Sequence, residues 1–172
     1  MYMYMTTGTR DFMEKLKERY SDKRMILMHG GGQSLLVHET EAKSVFQTPR
    51  RYEVISSTGE LKEEGYFVCN NIPVTDEGRP VFEHRFSSGN SKMGAQSGFI
   101  AFRLLRPLDS DTYVVLTEWE AASDFDRWKN SPAFKESHQS SDTKEFADNT
   151  THIFASASYV TTYVAKIEET EL

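Results

Sequence analysis

The order of elements from Gly65 onward fits few folds. "GYFVCNNIPVT" reads as a strand and "DEGRPVFEHRF" as a helix, with Asp76 placed to cap it. "FIAFRLLRP" and "DTYVVLTEWE" read as two strands joined by the short turn "LDS". "SDFDRWKN" reads as a second helix and "SYVTTYVAKI" as a last strand. The order β-α-β-β-α-β is that of the ferredoxin-like split unit, a four-stranded antiparallel sheet with both helices on one face. Strand alternation puts Val68, Asn70, Ile72 and Val74 on one face of the first strand, and Phe67, Cys69, Asn71 and Pro73 on the other. The aliphatic Asn70 face is the one helices should cover. The opposite face is also partly apolar, as are both faces of "FIAFRLLR", whereas a sheet covered on one side has a polar back. A second layer must therefore cover this back, either the N-terminal half or a second copy of the chain.

The N-terminal half has material for such a layer. "MYMYMT", "RMILMH", "QSLLVHET" and "YEVISSTG" read as strands, the middle pair meeting at a glycine turn, Gly30–Gly32. "TGTRDFMEKLKERYSDK" reads as a helix, with Phe12, Leu16 and Tyr20 along its apolar side. The expected class is α+β. A smaller α/β subdomain over residues 1–64 completes a barrel-like assembly with a ferredoxin-like domain over residues 65–172. No internal sequence repeat or low-complexity tract stands out.

Charge and composition remove several function classes. A net charge of −6 and a pI near 5.4 argue against the basic stripe of a nucleic-acid binder. No apolar run approaches the ~18 residues that cross a bilayer. The first residues lack the basic-then-apolar pattern of a signal peptide. Cys69 is the single cysteine, so there is no internal disulfide framework. Together these place the expected protein in the cytoplasm.

Three residues carry the candidate chemistry. Asn70 puts an amide on an apolar strand face, which costs roughly 1–3 kcal/mol unless a loop, a water or a ligand satisfies it. Trp128 lies on the second predicted helix, where core packing is its alternative role. His138 follows ten residues later, near the end of a helix restarted at Ser131–Pro132, where it could simply favour the helix C-terminus. Ten residues of one straight helix turn through about 280°, so only the break lets the two rings face a common space. His29, His38, His84 and His152 show no metal-ligand spacing, and "GGGQ" lacks the ending of a phosphate loop. Glu118 and Glu120, alternating with Trp119, read as a solvated or barrel-rim feature.

These residues carry a resemblance. With the element order, "NN-I-P-V" and "FDRWKNSPAFKESH" make the chain similar to the antibiotic-biosynthesis-monooxygenase superfamily, and within it to the IsdG-type haem-degrading monooxygenases. "YEVI", "EGRPVFE-RF" and "GF-A-R-LRPLDSDTYV" extend the resemblance to the longer, Bacillus HmoB-type members over nearly the whole chain. The resemblance implies a triad of Asn70, Trp128 and His138, with haem as both substrate and cofactor. His138 would be the metal ligand on one face of the haem. Asn70 would donate a hydrogen bond on the other, and Trp128 would press on the macrocycle. Phe82, Phe86 and Phe125 are expected as apolar wall. O2 and an external electron donor, a reductase, are implied, and monomer and homodimer both stay open. A non-catalytic haem-binding or stress-signalling protein of the same fold is the alternative.

Overall fold

The computed structural model describes residues 1–89, 93–132 and 153–165. Among the described residues the strands and α-helices follow in the order β1 (Tyr2–Gly8), α1 (Arg10–Arg19), β2 (Met25–Gly30), β3 (Gln33–Thr40), β4 (Arg50–Thr58), β5 (Gly65–Pro73), α2 (Arg79–Gly89), β6 (Phe99–Pro107), β7 (Thr112–Trp119), α3 (Ala122–Lys129) and β8 (Tyr159–Ala165). The strands close a barrel in the order β1-β3-β2-β8-β5-β7-β6-β4, and the register of every pair is antiparallel.

The C-terminal four strands lie in the order β8-β5-β7-β6, the arrangement of the ferredoxin-like unit. The N-terminal four lie as β4-β1-β3-β2, which repeats that order. The chain thus holds a topological repeat that its sequence does not display. In the first copy, residues 41–49 stand where the second copy has α3. The N-terminal half covers the sheet's back by joining it, β2 pairing β8 and β4 pairing β6. Closure removes the exposed sheet edges that would otherwise invite pairing with another chain.

Alternation then sorts the residues. Met3, Met28, Leu35, Phe67, Cys69 and Leu116 point into the barrel among other apolar side chains, with Leu61 of the β4–β5 linker inserted at one end. An eight-stranded barrel is just wide enough for such side chains to fill it. Burial pushes the Cys69 thiol up to about 12, so it is not available as a thiolate near neutrality. Outside, α1 covers β1, β2 and β3 with Met13, above Tyr4, Met25, Leu36 and Phe46. The other two helices cover the Asn70 face: α2 packs Phe82 and Phe86 against Ile72, Tyr113 and Val115, and α3 packs Trp128 against Val68 and Trp119.

Three local expectations are corrected. Phe12 is 62% exposed, and the buried ridge of α1 is Met13 with Leu16 and Tyr20. The spacings 12-16-20 and 13-16-20 both fit a helix, and only the direction of the sheet selects between them. Asp76 does not cap α2. That helix starts at Arg79, and the preceding turn is held by Thr75, whose Oγ1 accepts the Gly78 N–H at 3.1 Å. Glu118 is not solvated: it is 0% exposed and points into the barrel near the end that the β4–β5 linker covers. Its Oε1 accepts the Lys62 N–H at 2.9 Å, while Oε2 has no hydrogen-bond partner.

Candidate functional site

β5 forms the floor of the site because it sits between β7 and β8 in the sheet. Asn70 lies opposite Val115 of β7 and Val160 of β8. Val68 lies opposite Thr117 and Thr162, and Tyr66 opposite Trp119 and Val164. Asn70 is half-buried, between the apolar cluster around Trp128 and the one around Phe82. Its carboxamide makes no hydrogen bond among the described residues. Asn71, one position along, behaves in the opposite way. It is buried inside the barrel and its Nδ2 donates to Cys69 O (3.1 Å), Tyr159 O (3.2 Å) and Thr161 Oγ1 (3.2 Å). Of two adjacent asparagines, one stitches β5 to β8 and the other presents its amide to the helix-covered face.

Trp128 comes from the last turn of α3 and is 5% exposed. The hydroxyl of Ser131 donates to Trp128 O at 2.6 Å, closing the helix end just before Pro132. Phe125, one turn earlier on α3, sets its ring 6.4 Å from Tyr66 and 5.8 Å from Trp119, and the Lys129 ammonium lies 5.6 Å from its centroid. On the α2 side, Phe82 is 2% exposed and packs 4.8 Å from both Phe86 and Tyr113. Phe86 is half-buried against the same cluster. The structure thus gathers Asn70, Trp128, Phe82, Phe86 and Phe125 on one face of the sheet. His138 and the helix restart beyond Pro132 lie outside the described residues.

α2 is fastened by charge as well as by rings. Glu83 accepts two hydrogen bonds from Arg106, at 2.8 and 2.6 Å, and one from the Tyr113 hydroxyl. Arg106 also reaches Glu53 of β4 at 2.9 Å. These bonds hold the Glu83 carboxyl below the usual carboxylate range, the Arg106 bonds foremost. Arg79 lies over the Tyr113 ring at 5.5 Å and donates to Pro107 O and Ser110 O. Among the described residues no group of three or more His, Cys, Asp or Glu could hold a metal ion, and no helix is long and apolar enough to cross a membrane.

The sequence did not reveal Trp119 as part of the site. It is fully buried beneath α3, and its indole N–H donates to Thr117 Oγ1 at 2.9 Å. The signal was its parity with Tyr113, Val115 and Thr117, the β7 residues that face the helices. The exposure of β8 on this face was also unforeseen: Val160 and Val164 are 57% and 43% exposed, beside the part that α2 and α3 cover.

Residues 65–140 match the family described as antibiotic biosynthesis monooxygenase. Two relatives align over most of the chain. The signal transduction protein TRAP of Staphylococcus epidermidis is 26% identical over 136 residues, 79% of this chain and 81% of that protein. A heme-degrading monooxygenase of Listeria monocytogenes is 27% identical over 134 residues, 78% of this chain and 80% of that protein. A solved structure of a major regulator of staphylococcal pathogenesis superposes with a TM-score of 0.84 at 25% identity, covering 96% of this chain and 99% of the other. The stretch from β5 through α3 therefore lies within a match to the antibiotic biosynthesis monooxygenase (ABM) family, and the N-terminal half closes its sheet into a barrel.

Proposed function

We propose that this protein is a haem-degrading monooxygenase whose crevice lies on the Asn70 face of β5, under α2 and α3. The observation that carries this is the Asn70 carboxamide. A half-buried amide set between two apolar clusters, with no hydrogen bond among the described residues, fits a flat apolar ligand that needs one polar contact. The donor set fits haem: aromatic and aliphatic side chains for the macrocycle, and imidazole for the iron from His138, ten residues after Trp128. Haem, when bound, supplies an iron centre that reacts with O2 and electrons from an external donor, opens its own ring to a bilin-like product and releases the metal.

The chain's residues do the rest. His138 would hold the iron through a neutral imidazole nitrogen. Asn70 Nδ2 would donate a hydrogen bond into the crevice and so help to direct oxygen toward the ring edge. Trp128 would press its indole on the macrocycle, and distortion of the ring is one lever a protein has over haem. Phe82, Phe86 and Phe125 keep the crevice dry, which strengthens the Asn70 bond. A cytoplasmic reductase would supply electrons. One chain completes the barrel by itself, so a monomer suffices.

A non-catalytic haem-binding or stress-signalling module is the second possibility, favoured by the TRAP-named relative. Titration with hemin tests the binding step: a Soret band should saturate in the wild type and be lost or severely weakened in His138→Ala. A wild-type spectrum in that variant would remove His138 from the ligand role. No band in the wild type would remove haem altogether.

A further inference from the structure

We propose that Trp119 is a positioning residue: it is the seat that sets how far Trp128 and α3 stand off the sheet over Asn70. The inference rests on the role given to Trp128 above. α3 spans only eight residues, and no side-chain hydrogen bond caps its N-terminus. A helix that short is marginal by itself, so its placement comes from what it packs on. Phe125 and Trp128 stand three residues apart, on one side of α3, and that side meets β7.

The ring it meets is fixed. Trp119 is 0% exposed and its edges and faces are taken. Phe99 lies 5.6 Å away at 81°, Phe125 lies 5.8 Å away at 63°, and the N–H goes to Thr117 Oγ1 at 2.9 Å. Thr117 is itself the cross-strand partner of Val68, the floor residue two along from Asn70. One hydrogen bond and two edge-to-face contacts therefore tie the height of α3 to the strand that carries the amide. A smaller ring at 119 lets α3 and Trp128 settle toward the sheet, withdrawing the indole from the crevice.

The chain has two tryptophans, so Trp119→Phe leaves Trp128 as the only indole emitter. In the ligand-free protein, the expected result is a change in its emission maximum and in its quenching by acrylamide, relative to the Trp128 share obtained by subtracting W128F from wild type. With hemin, W119F is expected to bind within a fewfold of wild type, to shift the Soret band by a few nanometres and to turn over about tenfold more slowly, a loss in kcat more than in affinity. Thr117→Val keeps the volume and frees the N–H. It should move the near-ultraviolet circular dichroism and the Soret band the same way, by less, and it replaces W119F if that variant does not fold. Unchanged Trp128 emission and quenching in W119F, or an unchanged near-ultraviolet signal and Soret band in T117V, overturns the positioning role. A wild type without a Soret band overturns the haem assignment instead, and the ligand-free fluorescence still decides the seat.

Discussion

Replacing Glu118 by glutamine should remove one part of this protein's pH dependence. The carboxyl is 0% exposed inside the barrel, and burial is the main cause that pushes it up to about 7 from an ordinary 4.5. Glu64 adds to the rise. The Lys62 N–H bond and the charges of Lys62 and Arg103 oppose it. Arg103 cannot do more, because its guanidinium is committed to Glu39 at 2.7 Å and to the carbonyls of Thr58, Gly59 and Phe102. A folded-state value above the unfolded one means that the native state holds the proton more tightly. The stabilisation is complete below the unfolded value and is lost as pH rises through the folded one. The gap corresponds to about 3 kcal/mol, an upper figure because water entering the barrel end would screen the anion. The amide of Glu118→Gln keeps an oxygen for the Lys62 N–H and cannot ionise. Urea unfolding followed by far-ultraviolet circular dichroism, at steps from pH 4.5 to 8, gives both stability curves. The variant should gain on wild type by up to about 3 kcal/mol as pH rises across that range, with most of the change complete by about pH 7. A difference that stays flat, or that falls with rising pH, would refute the account of a buried acid.

Other perturbations separate structure from function. Asn71→Ala should cost about 1–3 kcal/mol by removing the hydrogen bonds that its two amide N–H groups share among Cys69, Tyr159 and Thr161, whereas Asn70→Ala should cost under about 0.5 kcal/mol, bind hemin and degrade it slowly. Chemical denaturation beside a haem turnover assay checks the pair, and equal stability losses would contradict the roles assigned to the two amides. His38 is buried beside Phe46, its Nδ1 without a partner, and burial followed by the Lys23 charge lowers its pKa. Its neutral form therefore stabilises the fold above the ordinary value of 6.5, and stability falls as pH drops below that value. His38→Phe should gain on wild type as pH falls from about 7 to 5 in the same denaturation series, because the variant lacks the imidazole that must be charged. Glu83→Ala should remove two of the hydrogen bonds of Arg106, leaving it Glu53, take the acceptor from the Tyr113 hydroxyl and cost about 2–3 kcal/mol, measured as a lower urea midpoint with an unchanged slope.

Much of this was legible in the strands. The alternation in "GYFVCNNIPV" placed Asn70 with Val68 and Ile72 on the helix-covered face. Its apolar back demanded a second layer, which the N-terminal half provides. The barrel's repeated order was not legible, because the first copy has irregular residues 41–49 in place of α3 and no matching motif. Glu118 was misread for a physical reason. On an open sheet a carboxylate marks the wet face, but closure of the barrel turns that face inward. Trp119 was missed because alternation gives a side chain's direction and not what lies above it. Its role depends on α3 docking there, a tertiary contact that neither segment encodes alone.

The central claim is that a haem bound over Asn70 is consumed. Incubating the hemin complex with ascorbate in air, with a ferrous chelator present, tests it in a single trace. Decay of the Soret band, matched mole for mole by chelated iron, is the predicted result. A band that survives reductant and oxygen with no iron captured would contradict it and leave a haem-binding module of the same fold.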